Sequence, residues 1–340
     1  KTLHLESDDY VDYRQGRQSC FDGDNLIKKC TSWHSWSYAL ETEFLVYQKT
    51  NWQNVFKYDN VVLLVNRDMN EVLPLLKKLK MMGKKIAISF HESPSDMTSG
   101  SGIPGENLFQ RWFDLKQLVD EADFYINLFG QASCVFKGWF GENKVKCCEH
   151  SFPYEWNVSF KKSLKDRKYD ILIGSRTFNQ RLLRNTFLTL CSMNGLANKK
   201  LEFIQKPLSV HFLCEDGVNA NDLLKSLGLN NIVCHKGPLN FTEWLKFLSD
   251  FKYVVSNDYS VNLGQTTLDC AFLDVYNIGG ITWNNSLLGT SDDGNLNLPI
   301  YDVLDHEEIN SRRDIQFKID QFKKMTNSDI IKQKLVGMFA

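Results

Sequence analysis

The stretch Tyr253–Gly280, YVVSNDYSVNLGQTTLDCAFLDVYNIGG, decides the fold of this chain. Its apolar start, Tyr253–Val255, is typical of a buried strand, and the polar residues that follow it predict a loop. A helix is predicted to begin around Gly264–Thr267, and a second apolar strand ends at Gly279. This order of strand, helix and strand is that of a βαβ unit. The free backbone N–H groups in the first turn of such a helix form a site for an anion, and the Thr hydroxyls can add to it.

Length and composition predict a folded protein of two domains. A chain of 340 residues exceeds one comfortable core. Its 43% hydrophobic and 24% charged residues are ordinary for a soluble protein. The net charge of −1 does not favour nucleic acid or an anionic membrane surface. No apolar run approaches the roughly 18 residues of a membrane span, and no signal-peptide pattern occurs.

The cysteines favour free thiols. All nine are scattered along the chain, and no Cys-x-x-Cys pair is present. A protein of this length needs no disulfide scaffold, and zinc sites usually show paired ligand spacing. We therefore expect a reducing compartment and predict a cytoplasmic protein, with the membrane periphery as an alternative location.

The alternation of apolar runs with helical patterns predicts an α/β fold with two Rossmann-like domains and a cleft between them. Val61–Val65 is a continuous apolar run, which is typical of a strand covered on both faces. Glu71–Met82 has a helical period and ends at Gly83, a residue suited to a helix C-cap. We predict an N-terminal Rossmann-like domain at 1–152, a linker at 153–167, a second Rossmann-like domain at 168–318 and, at 319–340, a C-terminal helix that returns to the first domain.

Basic residues follow the first predicted strand of the second domain, Tyr169–Ile173. Gly174 and Arg176 come directly after the strand, and Arg181 stands five residues beyond Arg176. Two arginines at a strand end can bind a diphosphate through bidentate hydrogen bonds. The alternative is that the basic residues here are solvated charges on a helix.

Three segments occur in one order: Gly-x-Arg-x4-Arg at 174–181, Gly-Pro-Leu-Asn at 237–240, and the loop and helix at 256–271. Their spacing resembles the nucleotide-binding half of GT-B-fold glycosyltransferases. The resemblance implies a donor site formed by Arg176, Arg181, Gly264, Gln265, Thr266, Thr267 and Asp269. In it the arginines bind the donor diphosphate, and Asp269 replaces a Glu that binds ribose. Val261 stands where the family has a Glu that contacts the sugar.

Candidates for a catalytic base follow the strands of the first domain. His91 comes directly after the predicted strand Lys85–Phe90, and its ordinary pKa near 6.5 allows it to accept a proton at neutral pH. Asp9, after the first strand, is the second candidate, ahead of Asp8 and Glu92. The alternative roles are a loop hydrogen bond for His91 and turn capping for the aspartates.

The resemblance implies a metal-independent glycosyltransferase without a cofactor. Its donor would be a nucleotide-sugar and its acceptor a hydroxyl group of a glycan or glycoconjugate, such as a lipid-linked sugar, or of a modified nucleobase. Two alternatives stay open at this point. One is a nucleotide-sugar 2-epimerase of the same fold, and the other is a non-catalytic protein that binds carbohydrate or nucleotide.

Overall fold

The computed structural model describes most of the predicted elements. The residues described are 2–6, 21–22, 25–26, 35–40, 44–46, 52–65, 69–90, 108–128, 130–151, 157–173, 189–190, 208–214, 220–236, 239, 241–255, 265–278 and 319–340. They divide into two compact units. The first contains the described residues up to 151 together with 322–340, and the second contains those from 157 to 321.

The strands and helices are numbered here in chain order. The strands are β1 Thr2–Glu6, β2 Phe21–Asp22, β3 Asn25–Leu26, β4 Phe44–Val46, β5 Asn60–Val65, β6 Lys85–Phe90, β7 Phe124–Asn127, β8 Val145–Cys147, β9 Tyr169–Ile173, β10 Val210–Cys214, β11 Ile232–Lys236, β12 Phe251–Val255 and β13 Tyr276–Ile278. The helices are α1 Ser35–Leu40, α2 Trp52–Phe56, α3 Met69–Met81, α4 Leu108–Glu121, α5 Ser133–Phe140, α6 Ala220–Ser226, α7 Phe241–Leu248, α8 Gln265–Leu273 and α9 Ser328–Phe339.

The first unit is built on a parallel sheet of six strands in the order β4-β1-β5-β6-β7-β8. The central strands β5 and β6 are buried from their second residue onward. Burial on both faces explains why Val61–Val65 of β5 is continuously apolar in sequence and why β6 has a single polar residue, Ser89, after its first position. The short strands β2 and β3 form a separate antiparallel pair.

Lysine side chains satisfy backbone carbonyls where helices of the first unit end. Lys144 Nζ donates to the carbonyl oxygens of Val119, Asp120 and Ala122 at the end of α4. Lys80 donates to the carbonyl of Glu121 in the same turn. A cation at this position also interacts favourably with the partial negative charge of the helix C-terminus.

The last helix, α9, packs within the first unit. Its residues Ile331, Leu335 and Phe339 are buried, and the Phe339 ring lies 4.9 Å from that of Phe124 in β7. Lys85 and Lys146 donate hydrogen bonds to the carbonyl oxygens of Phe339 and Met338, the last two residues of the helix. The apolar stripe of the tail is therefore covered by the sheet that the first part of the chain forms.

The second unit contains a parallel sheet of five strands in the order β11-β10-β9-β12-β13. Both faces of this sheet are covered. Ile171 and Ile173 pack on one side with Val210 and Phe212, whereas Leu172 packs on the other side with residues that include Trp244 of α7. The alternation along β9 thus places apolar side chains in two separate cores.

The predicted α/β class with two Rossmann-like domains is confirmed. Strands β6 and β9 have the bounds that the sequence predicts, and Gly83, with φ 71°, follows α3. None of the helices within the described ranges is long and apolar enough to cross a bilayer.

Two histidines on adjacent strands, the buried His211 and the half-buried His235, form a stacked pair. His211 of β10 and His235 of β11 have ring centroids 5.0 Å apart, and His211 Nδ1 lies 2.7 Å from His235 Nε2. Burial and the neighbouring ring lower the pKa of His211 to about 4, and burial lowers that of His235. In the first unit, burial lowers the pKa of His150 to about 3. All three rings are neutral in the folded protein at pH 7.

Acidification should destabilise the protein through these histidines. Unfolded histidine has a pKa near 6.5, so below that pH the unfolded state binds more protons than the folded state. The free energy of unfolding should fall between pH 6.5 and 4, by at most about 1.4 kcal/mol per pH unit for each histidine. Urea unfolding at several pH values measures this free energy. It should fall less steeply with decreasing pH in His211→Gln than in the wild type. Equal slopes in the two proteins would contradict the lowered pKa of His211.

Candidate functional site

The order of strands in the second sheet creates a switch point between β9 and β12. From β9 the chain adds β10 and β11 on one side and β12 and β13 on the other. The two strands are paired, with Ile173 opposite Val255 at their carboxyl ends. In open α/β sheets, ligands bind in the crevice outside the carboxyl ends of the strands at such a point.

The two predicted donor-binding segments follow these same two strands. Arg176 comes three residues after the end of β9, and Gly264 lies in the loop that follows β12. Arg176, Arg181 and Gly264 themselves lie outside the described residues. Both segments nevertheless follow the ends of neighbouring strands, although the segments are about 80 residues apart in the sequence.

Helix α8 begins at Gln265 and brings the predicted Thr pair to this edge of the sheet. Thr266 is half-buried, whereas Thr267 is buried and its Oγ1 accepts a hydrogen bond of 3.1 Å from Asn277 Nδ2 of β13. The hydroxyl of Thr267 therefore connects the first turn of α8 to the sheet. In α-helices generally, the first-turn backbone N–H groups are not used by the helix itself, and such groups are suited to an anion.

Asp269 is engaged by protein groups on both carboxylate oxygens. Its side chain is only 1% exposed, its Oδ1 accepts a hydrogen bond of 3.0 Å from Asn157 Nδ2, and its Oδ2 accepts one of 2.9 Å from Trp244 Nε1. A carboxylate needs such donors when it is buried. Each carboxylate oxygen can accept a second hydrogen bond, so the ribose contact predicted for Asp269 would require the buried side chain to become accessible to a ligand hydroxyl.

The other end of α8 is also held by side chains. Arg167 is buried and donates to the carbonyl oxygens of Leu273, Phe251 and Lys162. Asp274, which follows the helix with φ 60°, forms an ion pair of 3.4 Å with Lys161. The segment 157–167, which is the described part of the linker predicted at 153–167, thus contacts α8 within the second unit.

Both candidate bases of the first unit, His91 and Asp9, lie outside the described residues. The sheet order gives their starting points: Asp9 follows β1 and His91 follows β6, and β5 lies between these strands. At the spacing of parallel strands, the two chain segments begin about 10 Å apart. The segment that contains Asp9 and the segment that contains His91 therefore begin at the same edge of the sheet.

The sequence-based interpretation missed a polar group at the ends of β7 and β8. The exposed Cys147 has its Sγ 3.2 Å from Ser133 Oγ in the first turn of α5, and Asn127 Nδ2 lies 4.0 Å from the same sulfur. Asn127 pairs with Cys147 across the two strands. The available signal was a polar residue at the end of each of two neighbouring strands.

The sequence-based interpretation also missed Asn157 and Trp244, because their hydrogen bonds to Asp269 join residues that are distant in the sequence.

Comparison with known proteins identifies the fold. No protein-family model matches the chain, and no curated protein sequence matches it. Among solved structures, sucrose-phosphate synthase from Thermosynechococcus elongatus matches with a TM-score of 0.61 and 9% identity, over 100% of this chain and 98% of that one.

Two further structures match over nearly the whole chain. A structure described as trehalose-6-phosphate from E. coli bound with UDP-2-fluoro glucose matches with a TM-score of 0.57 and 7% identity, over 99% of this chain and 98% of that one. An α-glucosyltransferase in complex with UDP and a 13-mer DNA that contains an HMU base matches with a TM-score of 0.52 and 11% identity, over 98% and 93%. The chain has the GT-B fold, and its two parallel sheets correspond to the two Rossmann-like domains of that architecture.

Proposed function

We propose that this protein is a glycosyltransferase that moves a sugar from a nucleotide-sugar donor to a hydroxyl group of a glycan or glycoconjugate. A fold alone does not determine a function, so the proposal depends on the site. The observation that carries it is the position of the two donor-binding motifs, which follow the two strands that flank the switch point of the second sheet.

The proposed donor is a UDP-sugar or a related nucleotide-sugar. Two of the similar structures are described with UDP or with UDP-2-fluoro glucose. In this chain the diphosphate would bind at the first turn of α8, where the backbone N–H groups of Gln265–Thr267 meet an anion. Arg176 and Arg181 would contribute charge-assisted hydrogen bonds from the neighbouring strand end.

The proposed reaction transfers the sugar from the diphosphate to an acceptor oxygen. The bond between the anomeric carbon and the diphosphate oxygen breaks, and a bond between that carbon and the acceptor oxygen forms. The negative charge that develops on the leaving diphosphate would be stabilised by the arginines and by α8 rather than by a metal ion. His91, with Asp9 as the second candidate, would accept the proton of the acceptor hydroxyl.

The proposed acceptor is any molecule with a suitable hydroxyl group. A hydroxyl group on a glycan, a lipid-linked sugar or a modified nucleobase satisfies the proposed reaction. One of the similar glycosyltransferase structures contains DNA with an HMU base. The net charge of −1 does not by itself favour DNA, since a DNA-binding surface needs several cations that neutralise phosphates.

Substitutions at the two proposed sites should separate binding from chemistry. Arg176→Ala should weaken the binding of UDP or of whichever nucleoside diphosphate binds best by roughly 1.5–3 kcal/mol, because a charge-assisted contact is lost. His91→Ala should leave this affinity unchanged and reduce turnover by about 10²-fold, as loss of a general base does. Calorimetry and the release of nucleoside diphosphate measure the two effects. Unchanged affinity in Arg176→Ala would remove that residue from the site.

Product analysis tests the reaction itself. Incubation with a panel of nucleotide-sugars and acceptors should give a glycosylated acceptor, and EDTA should not abolish its formation. An epimerised donor would identify an epimerase, and an unchanged donor that binds with measurable affinity would identify a binding protein. If magnesium or manganese were required, Asp22-Gly23-Asp24, the single Asp-x-Asp triplet of the sequence, would be the residues to substitute.

A further inference from the structure

Three segments of the second unit meet at the carboxylate of Asp269. Asn157 belongs to the turn at 157–160, Trp244 to α7 and Asp269 to α8, and all three side chains are at most 5% exposed. The hydrogen bonds join residues that are 112 and 25 positions apart in the sequence. Such a contact fixes the place of α8 relative to its neighbours in the core.

The orientation of the Asn157 amide shows which interaction dominates. Its Nδ2 faces the carboxylate, and within the described residues its buried Oδ1 has no hydrogen-bond partner. Leaving a buried acceptor without a partner costs free energy. The reversed amide would place two acceptor oxygens against each other, and one of them belongs to a carboxylate. The donation to Asp269 therefore determines how Asn157 is held.

Helix α8 is fixed by side chains from its first turn to its last. Thr267 accepts from Asn277 of β13, Asp269 accepts from Asn157 and Trp244, and the carbonyl of Leu273 accepts from Arg167. The backbone N–H groups that are proposed to bind the diphosphate lie within one turn of Asp269. Transition-state stabilisation by fixed dipoles requires that they be placed to within a fraction of an ångström.

We propose that Asp269 is a positioning residue, which holds the first turn of α8 in the geometry that binds the diphosphate through Asn157 and Trp244. This inference rests on the proposed function. It differs from the role of a ribose contact, because the carboxylate acts on protein groups and its effect on the ligand passes through the helix.

Exchange of the hydrogen-bonding groups tests the inference. Asp269→Asn leaves one oxygen for two donors, Asn157 Nδ2 and Trp244 Nε1, and Asn157→Asp sets two carboxylates against each other. Each change should therefore weaken UDP binding by about tenfold or more. The double variant restores a donor and an acceptor in exchanged places and leaves an oxygen for Trp244. It should recover wild-type affinity to within about threefold. GDP and ADP are titrated in parallel.

Asp170 provides a matched control in the same unit. It is 6% exposed and accepts from the backbone N–H and Oγ of Ser209 and from Lys252 Nζ, but it stands near the amino end of β9, away from the switch point. Asp170→Asn should lower thermal stability while leaving UDP affinity unchanged. Affinities are measured by calorimetry at a temperature at which each variant is folded, and Trp244→Phe replaces Asp269→Asn if the latter does not fold.

The outcomes separate the two proposals. A wild-type protein that binds none of the three nucleotides would overturn the proposed function and the inference that rests on it. If the wild type binds and the double variant is as weak as Asp269→Asn, the positioning role is wrong. A loss in Asp269→Asn that occurs with UDP but disappears with 2′,3′-dideoxy-UDP would instead identify a ribose contact. Equal losses with both nucleotides, together with recovery in the double variant, support the positioning role.

Discussion

The pairing of β9 with β12 is the constraint on which the proposed site depends. Ile173 and Val255 lie opposite each other at the carboxyl ends of these strands, and the order of the sheet reverses between them. Because of this pairing, a basic segment after residue 173 and a Thr-rich helix that begins at 265 start from one edge of the sheet. Neither segment alone would indicate a donor-binding site, since a lone pair of arginines or a lone capped helix is common on protein surfaces.

Buried polar contacts in the second unit determine the position of α8. Apolar packing alone permits small rotations and shifts of a helix, whereas a buried carboxylate with two donors has few arrangements that satisfy it. Asn157, Trp244 and Asp269 provide such an arrangement, and Arg167 fixes the C-terminal end of the helix. The segment 157–167 is therefore a structural part of the proposed donor-binding unit, and it does not only link the two units.

Local sequence patterns predicted the central elements of the fold well. Strands β5, β6 and β9 are mainly apolar, and burial on both faces explains this pattern. Short elements such as β4 and α2 were missed, since three to five residues carry too little periodicity. Trp36 of α1 is fully buried and donates its indole N–H to the Glu149 carbonyl, as is ordinary for an aromatic residue of a core. The partners of Asp269 could not be predicted, because hydrogen bonds between distant residues leave no local signal.

Hydrogen–deuterium exchange with and without UDP-glucose tests the central claim, that the nucleotide binds at the switch point of the second sheet, most directly. Ligand contact with backbone N–H groups should slow exchange in peptides that cover 174–181 and 256–273. Peptides from the start of β10 and β11, at the opposite end of the strands, should exchange as in the free protein. Protection confined to those peptides, with none at 174–181 or 256–273, would contradict the proposed site.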